Sequence, residues 1–255
     1  MVMQPKPRGV TWLWIVLGAV AVLLVVCGIG AAVALPRFGA HLFRSRPARP
    51  VAHPAGDTAS AGASGPACAY QAAAEGTPLA RRPAMPPPRA VAAGTVHVRL
   101  ATSQGDVTIE LNADDAPCTV NSFLSLARGG FYDGTPCHRL TSSGIYVLQC
   151  GDPTGTGTGG PGYRFGDENL PTEQHPAYPR GTVAMANAGP GTNGSQFFLV
   201  YQDSEIYPNY TVFGRITAGM DVLDKIAGGG TDDNNGPGDG RPKLDVTIRS
   251  AKLNP

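Results

Sequence analysis

The sequence predicts a mainly β domain over residues 95–255, a closed antiparallel barrel with two helices, behind a transmembrane helix at 10–35 and a disordered stem at 36–94. Three observations predict it. Residues 10–35 form 26 consecutive positions without a charge. Residues 36–94 hold 10 Pro and 17 Ala and show no sustained apolar periodicity. From Thr95 onward, short runs of alternating apolar and polar residues are punctuated by Gly-rich turns, with two helical patterns among them.

Taken in order, residues 1–9 are a short tail carrying Lys6 and Arg8. The run VTWLWIVLGAVAVLLVVCGIGAAVAL follows. As a helix it would extend roughly 39 Å, enough to cross a hydrocarbon core of about 30 Å with tilt. Trp12 and Trp14 stand at one end, where indoles favour the membrane interface. A cleaved signal peptide is the alternative, since Ala32-Val33-Ala34 resembles a small-residue cleavage site, but the apolar run is about twice the usual length of a signal core. An uncleaved anchor is therefore the reading. Its direction is contested by the flanking cations, with Arg37, Arg44, Arg46 and Arg49 on the far side. A very short tail suits a signal-anchor that exports the bulk of the chain, placing the folded domain outside the cytoplasm. The stem cannot bury enough apolar surface to offset its ordering entropy, and reads as a largely extended spacer.

The domain opens on VHVRLAT and GDVTIEL with Gln104-Gly105 between them, a strand, a turn and a strand. In NADDAPCTVNSFLSLARGG, residues Ala116, Val120, Phe123, Leu124 and Ala127 share one helical face, and Gly129-Gly130 stop the helix. YVLQC, GTVAMAN, SQFFLVY and YTVFGRI are further strands, MDVLDKIAGG a second helix, and LDVTIRSAKL a last strand. Closure into a barrel would remove exposed sheet edges.

Charge narrows the function classes. Residues 95–255 carry 11 basic and 17 acidic side chains, a net of −6. Such a domain lacks the basic face needed to displace phosphate counterions, so nucleic acid is not an expected partner. No Cys/His spacing resembles a zinc site, and DDNNGPGDG (232–240) lacks calcium-loop spacing and reads as a turn. Ser195 lies in NGSQF and not in a G-x-S-x-G elbow, which argues against a serine hydrolase.

Four blocks carry a resemblance: FYDGTPCHRL (131–140), YVLQCGD (146–152) with the GTGTGG loop beyond it, MANAGPGTNGSQFFLVY (185–201) and TVFGRI (211–216). Together they resemble the cyclophilin family of peptidyl-prolyl cis/trans isomerases, in a membrane-anchored bacterial form, from about Val96 to Leu253. The resemblance implies an eight-stranded closed barrel, a monomer, no metal or other cofactor, and proline-containing polypeptides as partners. It implies Arg139 as the catalytic residue, because a guanidinium remains charged and donates from a fixed plane toward the prolyl nitrogen. Phe198 would floor an apolar proline socket, with Tyr146 and Val147 as walls and Ile206 closing it; Tyr210 stands where the family often has a His. Gln149, Asn187 and Gln196 would hold the substrate backbone, while Ala186 and Ala188 leave room for it and Gly157 to Gly160 border a neighbouring shallow pocket.

This chain departs from the pattern in two places. The stretch between Arg139 and Gln149 is two residues longer than usual, so either Ile145 or Tyr146 supplies the pocket wall. Glu205 stands where many members carry a rim Trp, which implies weakened cyclosporin binding with turnover retained. Outside the apolar run there are four cysteines, Cys68, Cys118, Cys137 and Cys150, which allow three pairings. A rival reading is a non-catalytic module that binds proline peptides in the same groove; Arg139 discriminates between the two.

Overall fold

The alternating runs of the sequence become strands because one face of each can be buried while the other meets water. The computed structural model describes residues 65–254. Residues 1–64, on which the expected tail, transmembrane helix at 10–35 and first part of the stem fall, lie outside the described residues. Among the described residues no helix is long and apolar enough to cross a membrane. In chain order the elements are β1 (Gln71–Ala72), β2 (Thr95–Thr102), β3 (Asp106–Asn112), α1 (Pro117–Arg128), β4 (Thr135–Pro136), β5 (Arg139–Thr141) and β6 (Val147–Cys150). Then follow β7 (Tyr163–Arg164), β8 (Thr182–Met185), β9 (Phe197–Val200), β10 (Val212–Ala218), α2 (Met220–Gly228), β11 (Asp239–Gly240) and β12 (Thr247–Leu253).

Ten of the strands form one curled sheet, in the order β11-β5-β6-β9-β8-β10-β3-β2-β12-β4. The expected closed eight-stranded barrel is corrected here: β11 and β4 end the sheet and are not paired with one another. The physical reason lies in residues 135–141. Its first half pairs with β12 and its second half with β6, with Cys137 N donating to Val246 O and His138 N to Gln149 O. One short segment thus serves both sides, and the two sides are joined by backbone at Cys137-His138 instead of by a ladder.

Helix α1 lies against the sheet as its pattern requires, with Ala116, Val120, Phe123, Leu124 and Ala127 all buried. Phe123 packs against Tyr132, Phe197 and Phe213 at ring-centroid distances of 4.9, 5.4 and 5.5 Å. Burying a ring of this kind stabilises the domain by about 1.5–3 kcal/mol.

The segment 65–94 departs from the extended stem expected of it. It follows the surface of the domain and is fastened along its length. Cys68 is disulfide-bonded to Cys118 in α1. The Tyr70 hydroxyl donates to Cys118 O at 2.7 Å, and β1 pairs antiparallel with β7. The Arg81 guanidinium donates to the carbonyls of Gly130 and Phe131, and Asn121 Nδ2 donates to Pro87 O at 2.9 Å. A Pro-rich chain has few backbone donors to build its own ladder, so it borrows partners from the domain.

Candidate active site

The register of four strands separates the site from the core. Arg139 pairs with Gln149, Gln149 with Phe198, and Phe198 with Ala184. The next row, Leu140, Leu148, Leu199 and Val183, belongs to the main core. Because strand side chains alternate, the Arg139 row faces the other way. Val147 and Val200 share its parity, and with Ala177, Tyr178, Ala184 and Phe198 they form a second apolar cluster. Ala186, Ile206, Tyr210 and Val212 pack at its edge.

This cluster gathers most of the expected socket. Tyr210 meets Phe198 edge-on at 5.6 Å, and Tyr178 supports both rings at 5.8 and 6.2 Å. Tyr178 receives the Tyr210 backbone N–H on its hydroxyl at 2.9 Å, and burial pushes its pKa up to about 12. Tyr146 is placed elsewhere. One residue out of phase with Val147, it packs on the core side, edge-on to Tyr201 at 6.0 Å. Val147 is therefore the wall contributed by β6.

Arg139 is held from two sides. Asp239 in β11 accepts from Nε at 2.8 Å and from Nη2 at 2.6 Å. Nη1 faces Gln149 Oε1 at 3.4 Å. Gln149 Nε2 donates to Gln196 Oε1 at 2.8 Å, and Gln196 Nε2 donates to the carbonyls of Gly157 and Gly159, each at 2.9 Å. A chain of amides thus runs from the Gly-rich loop to the guanidinium. The hydrogen bonds that Arg139 donates to Asp239 raise the Arg139 pKa further, and Arg139 in return holds the Asp239 carboxyl below its usual range. Both groups stay charged across the physiological range.

The Gly-rich loop is itself built on a carboxylate. Asp152 is fully buried and accepts from the backbone N–H groups of Thr154, Thr156, Gly157 and Gly159 at 2.8–3.2 Å. Burial acts to raise its pKa, but the hydrogen bonds from Thr154, Gly159 and Gly157 outweigh it and hold it low. Position 159 requires glycine, since a Cβ there would lie 2.2 Å from Asp152 Oδ1. Gly157, at φ +81°, leaves room for the ring of His138.

Asn187 and Ala188 lie on the loop after β8. The Asn187 side chain donates to Asn209 O at 3.0 Å and accepts from Gly189 N at 3.1 Å, so it fixes two loops to one another. Ala188 N donates to Thr192 Oγ1 at 2.8 Å, leaving its methyl exposed. Two cavities border this surface and meet at Gln149 and Gly157. One, of about 420 Å³, is lined by Gly157–Gly160, Ala186–Ala188 and Gln196. The other, of about 320 Å³, is lined by His138, Arg139, Asn234, Asn235 and Arg241. Phe198, only 5% exposed, lines neither cavity.

Asp239 is the chief site residue the sequence did not disclose, because it sits in a segment read as a turn. His138 is a second. It is buried, and neither ring nitrogen has a hydrogen-bond partner. Tyr178 is the third. Among the described residues, Ser195 Oγ is buried and donates to Gly151 O at 2.7 Å, and all four cysteines are paired, Cys68–Cys118 and Cys137–Cys150. What remains is a fixed cation, an apolar shelf and a row of amides. Such a surface can bind a peptide and redistribute charge in it.

Residues 97–253 match the family model described as "Cyclophilin type peptidyl-prolyl cis-trans isomerase/CLD". The chain is 53% identical over 194 residues to a Mycobacterium leprae protein named "Probable peptidyl-prolyl cis-trans isomerase B", covering 69% of this chain and 65% of that one. A Mycobacterium tuberculosis protein of the same name is 55% identical over 170 residues, covering 62% of this chain and 54% of its own length. The chain thus spans between about half and two-thirds of the length of these mycobacterial relatives. A crystal structure of a Cryptosporidium parvum cyclophilin type peptidyl-prolyl cis-trans isomerase is similar with a TM-score of 0.55 and 32% identity, covering 63% of this chain and 98% of that chain.

Proposed function

The chain belongs to the cyclophilin-type peptidyl-prolyl cis-trans isomerase family, and from that premise we propose that it accelerates cis/trans isomerisation of X–Pro bonds in polypeptides, with Arg139 as the electrostatic element. The observation that carries this reading is the orientation of the Arg139 fork by Asp239, with Arg139 paired directly to Gln149 on the neighbouring strand and Gln149 to Phe198 on the next.

Rotation about an amide is opposed by roughly 18–20 kcal/mol, because the nitrogen lone pair is delocalised into the carbonyl. As the bond twists, that pair localises on the prolyl nitrogen. A guanidinium held at that nitrogen binds the twisted form more strongly than the planar one, and only such differential binding lowers the barrier. Phe198, Val147, Ile206 and Tyr210 would seat the ring. Gln149 and Gln196 would hold the backbone on one side of the bond, so that the other side turns. Proline-containing polypeptides are the substrates this geometry suits. A related Cryptosporidium parvum structure was determined in the presence of the dipeptide Ala-Pro.

We further propose a membrane-tethered protein with the isomerase domain outside the cytoplasm. The uncharged run at 10–35 supports the tether. The pairing of all four described cysteines supports an oxidising compartment. The domain acts as a monomer in this reading, and exposed Glu205 at the rim weakens cyclosporin binding. Sedimentation as a dimer, or cyclosporin inhibition at nanomolar concentration, would contradict these last two points. The test of the activity itself is a protease-coupled assay with proline-containing tetrapeptides. Tight peptide binding without turnover would replace the enzyme by the binding module.

A further inference from the structure

We propose that residues 73–77 of the N-terminal segment form the outer wall of a substrate subsite and make it selective for a bulky, uncharged side chain flanking the X–Pro bond. The inference rests on the isomerase reading and adds to it a specificity element from outside residues 97–253, the region that matches the family model.

The cavity of about 420 Å³ beside Gln149 and Gln196 has an inner wall formed by the Gly-rich loop and by Ala186–Ala188. Its outer wall is Ala73, Ala74 and Thr77. These three residues are fixed at both ends of their turn. Ala73 N donates to Gly162 O at 3.0 Å, and Gly160 N donates to Pro78 O at 3.3 Å. Within the turn, Thr77 N and Thr77 Oγ1 both donate to Ala74 O, at 3.2 and 2.7 Å. Upstream, β1 pairs with β7 and Cys68 is bonded to Cys118, so the segment cannot swing away.

The chemistry of the walls sets the preference. Methyl groups and glycines leave the space open, and it falls within the range of cavities that enclose ligand groups, roughly 300–1,000 Å³. Arg164 is the sole charged residue among those lining it and would repel a basic side chain, while Glu75 in the same turn is exposed and does not line the cavity. Gln149 lines the cavity and is in register with both Arg139 and Phe198. A peptide whose proline rests on Phe198 therefore brings a flanking side chain to this opening. Removing apolar surface from water there favours a larger side chain over alanine.

The test uses the full chain and tetrapeptides in which Ala, Leu, Phe or Lys occupies each position around X–Pro in turn. One position should favour Leu and Phe over Ala in kcat/KM by roughly tenfold or more, with Lys giving no gain. Ala74→Trp and, independently, Thr77→Trp should fill the cavity and bring kcat/KM for the Leu and Phe peptides down to that of the all-Ala peptide. Absence of turnover by the wild type would overturn the isomerase reading. Turnover with one profile for wild type and both variants, or an equal loss on every peptide, would overturn the wall and leave that reading standing.

Discussion

Replacing Asp239 by Asn should slow isomerisation while leaving the domain folded. Asp239 takes up Nε and one hydrogen of Nη2, at 2.8 and 2.6 Å, and so fixes the plane in which Arg139 presents its remaining donors. Asn at 239 keeps the shape but turns an amide NH₂ against one of those two donors, so at most one bond survives. The guanidinium must then be ordered again each time substrate binds. Immobilising a side chain of this length costs about 0.5–1.5 kcal/mol. At 1.36 kcal/mol per decade, kcat/KM should fall roughly 2- to 13-fold. Stability should move little, because the paired side chains are 35% and 27% exposed and solvent screens much of the attraction. The assay is kcat/KM on a tetrapeptide alongside a thermal melt. A variant with unchanged kcat/KM would refute the claim that Asp239 orients Arg139. A variant that is slow only because it is unfolded at assay temperature would be recognised in the melt.

Two further predictions follow from the strand rows and from the buried imidazole. Phe198→Ala should raise KM for proline peptides and, because Phe198 is itself buried against Tyr178 and Tyr210, lower stability as well, whereas Phe197→Ala, fully buried against Phe123 and Tyr132, should cost about 3–5 kcal/mol of stability and leave KM of the folded protein unchanged; a KM raised by Phe197→Ala and not by Phe198→Ala would show the rows are exchanged. His138 has its pKa lowered, mainly by burial, with the Asp152 charge opposing and Arg241 and Arg139 assisting. As pH falls below about 6.5 the unfolded chain takes up a proton that the folded chain refuses, so stability is lost with acidification by at most about 1.4 kcal/mol per pH unit. His138→Gln should remove that part of the slope, and parallel wild-type and variant melting curves from pH 7.5 to 5.5 would contradict it.

The main strands and both helices were legible because each buries one periodic face. Val98 and Leu100 opposite Val107, Ile109 and Leu111 show this most plainly. The strands β4, β5, β7 and β11 span two or three residues, too few for any period to register. Barrel closure failed for the same reason, since it depended on how residues 135–141 divide between two neighbours. At the site, Arg139, Gln149, Gln196 and Phe198 were expected from motifs; the strand register places Arg139, Gln149 and Phe198 side by side, and a hydrogen bond joins Gln196 to Gln149. Tyr146 was misplaced by one position, and in a strand one position reverses the face. Asp239 was hidden among other acids in DDNNGPGDG; only the pairing of β11 with β5 singles it out. The ordered segment at 65–94 was hidden by composition. Its attachments are a disulfide to a residue 50 positions away, single polar side chains such as Tyr70 and Arg81, and backbone groups, none of which forms a periodic pattern.

The central claim is that a fixed cation at position 139 carries the reaction. It is tested most directly by NMR exchange between the cis and trans forms of one X–Pro peptide, with wild-type protein and with Arg139→Ala. Loss of a single charged donor aimed at the twisting bond should slow exchange by roughly 10²–10³-fold, with peptide affinity largely retained through Phe198 and its neighbours. Exchange in Arg139→Ala as fast as in the wild type would contradict the account.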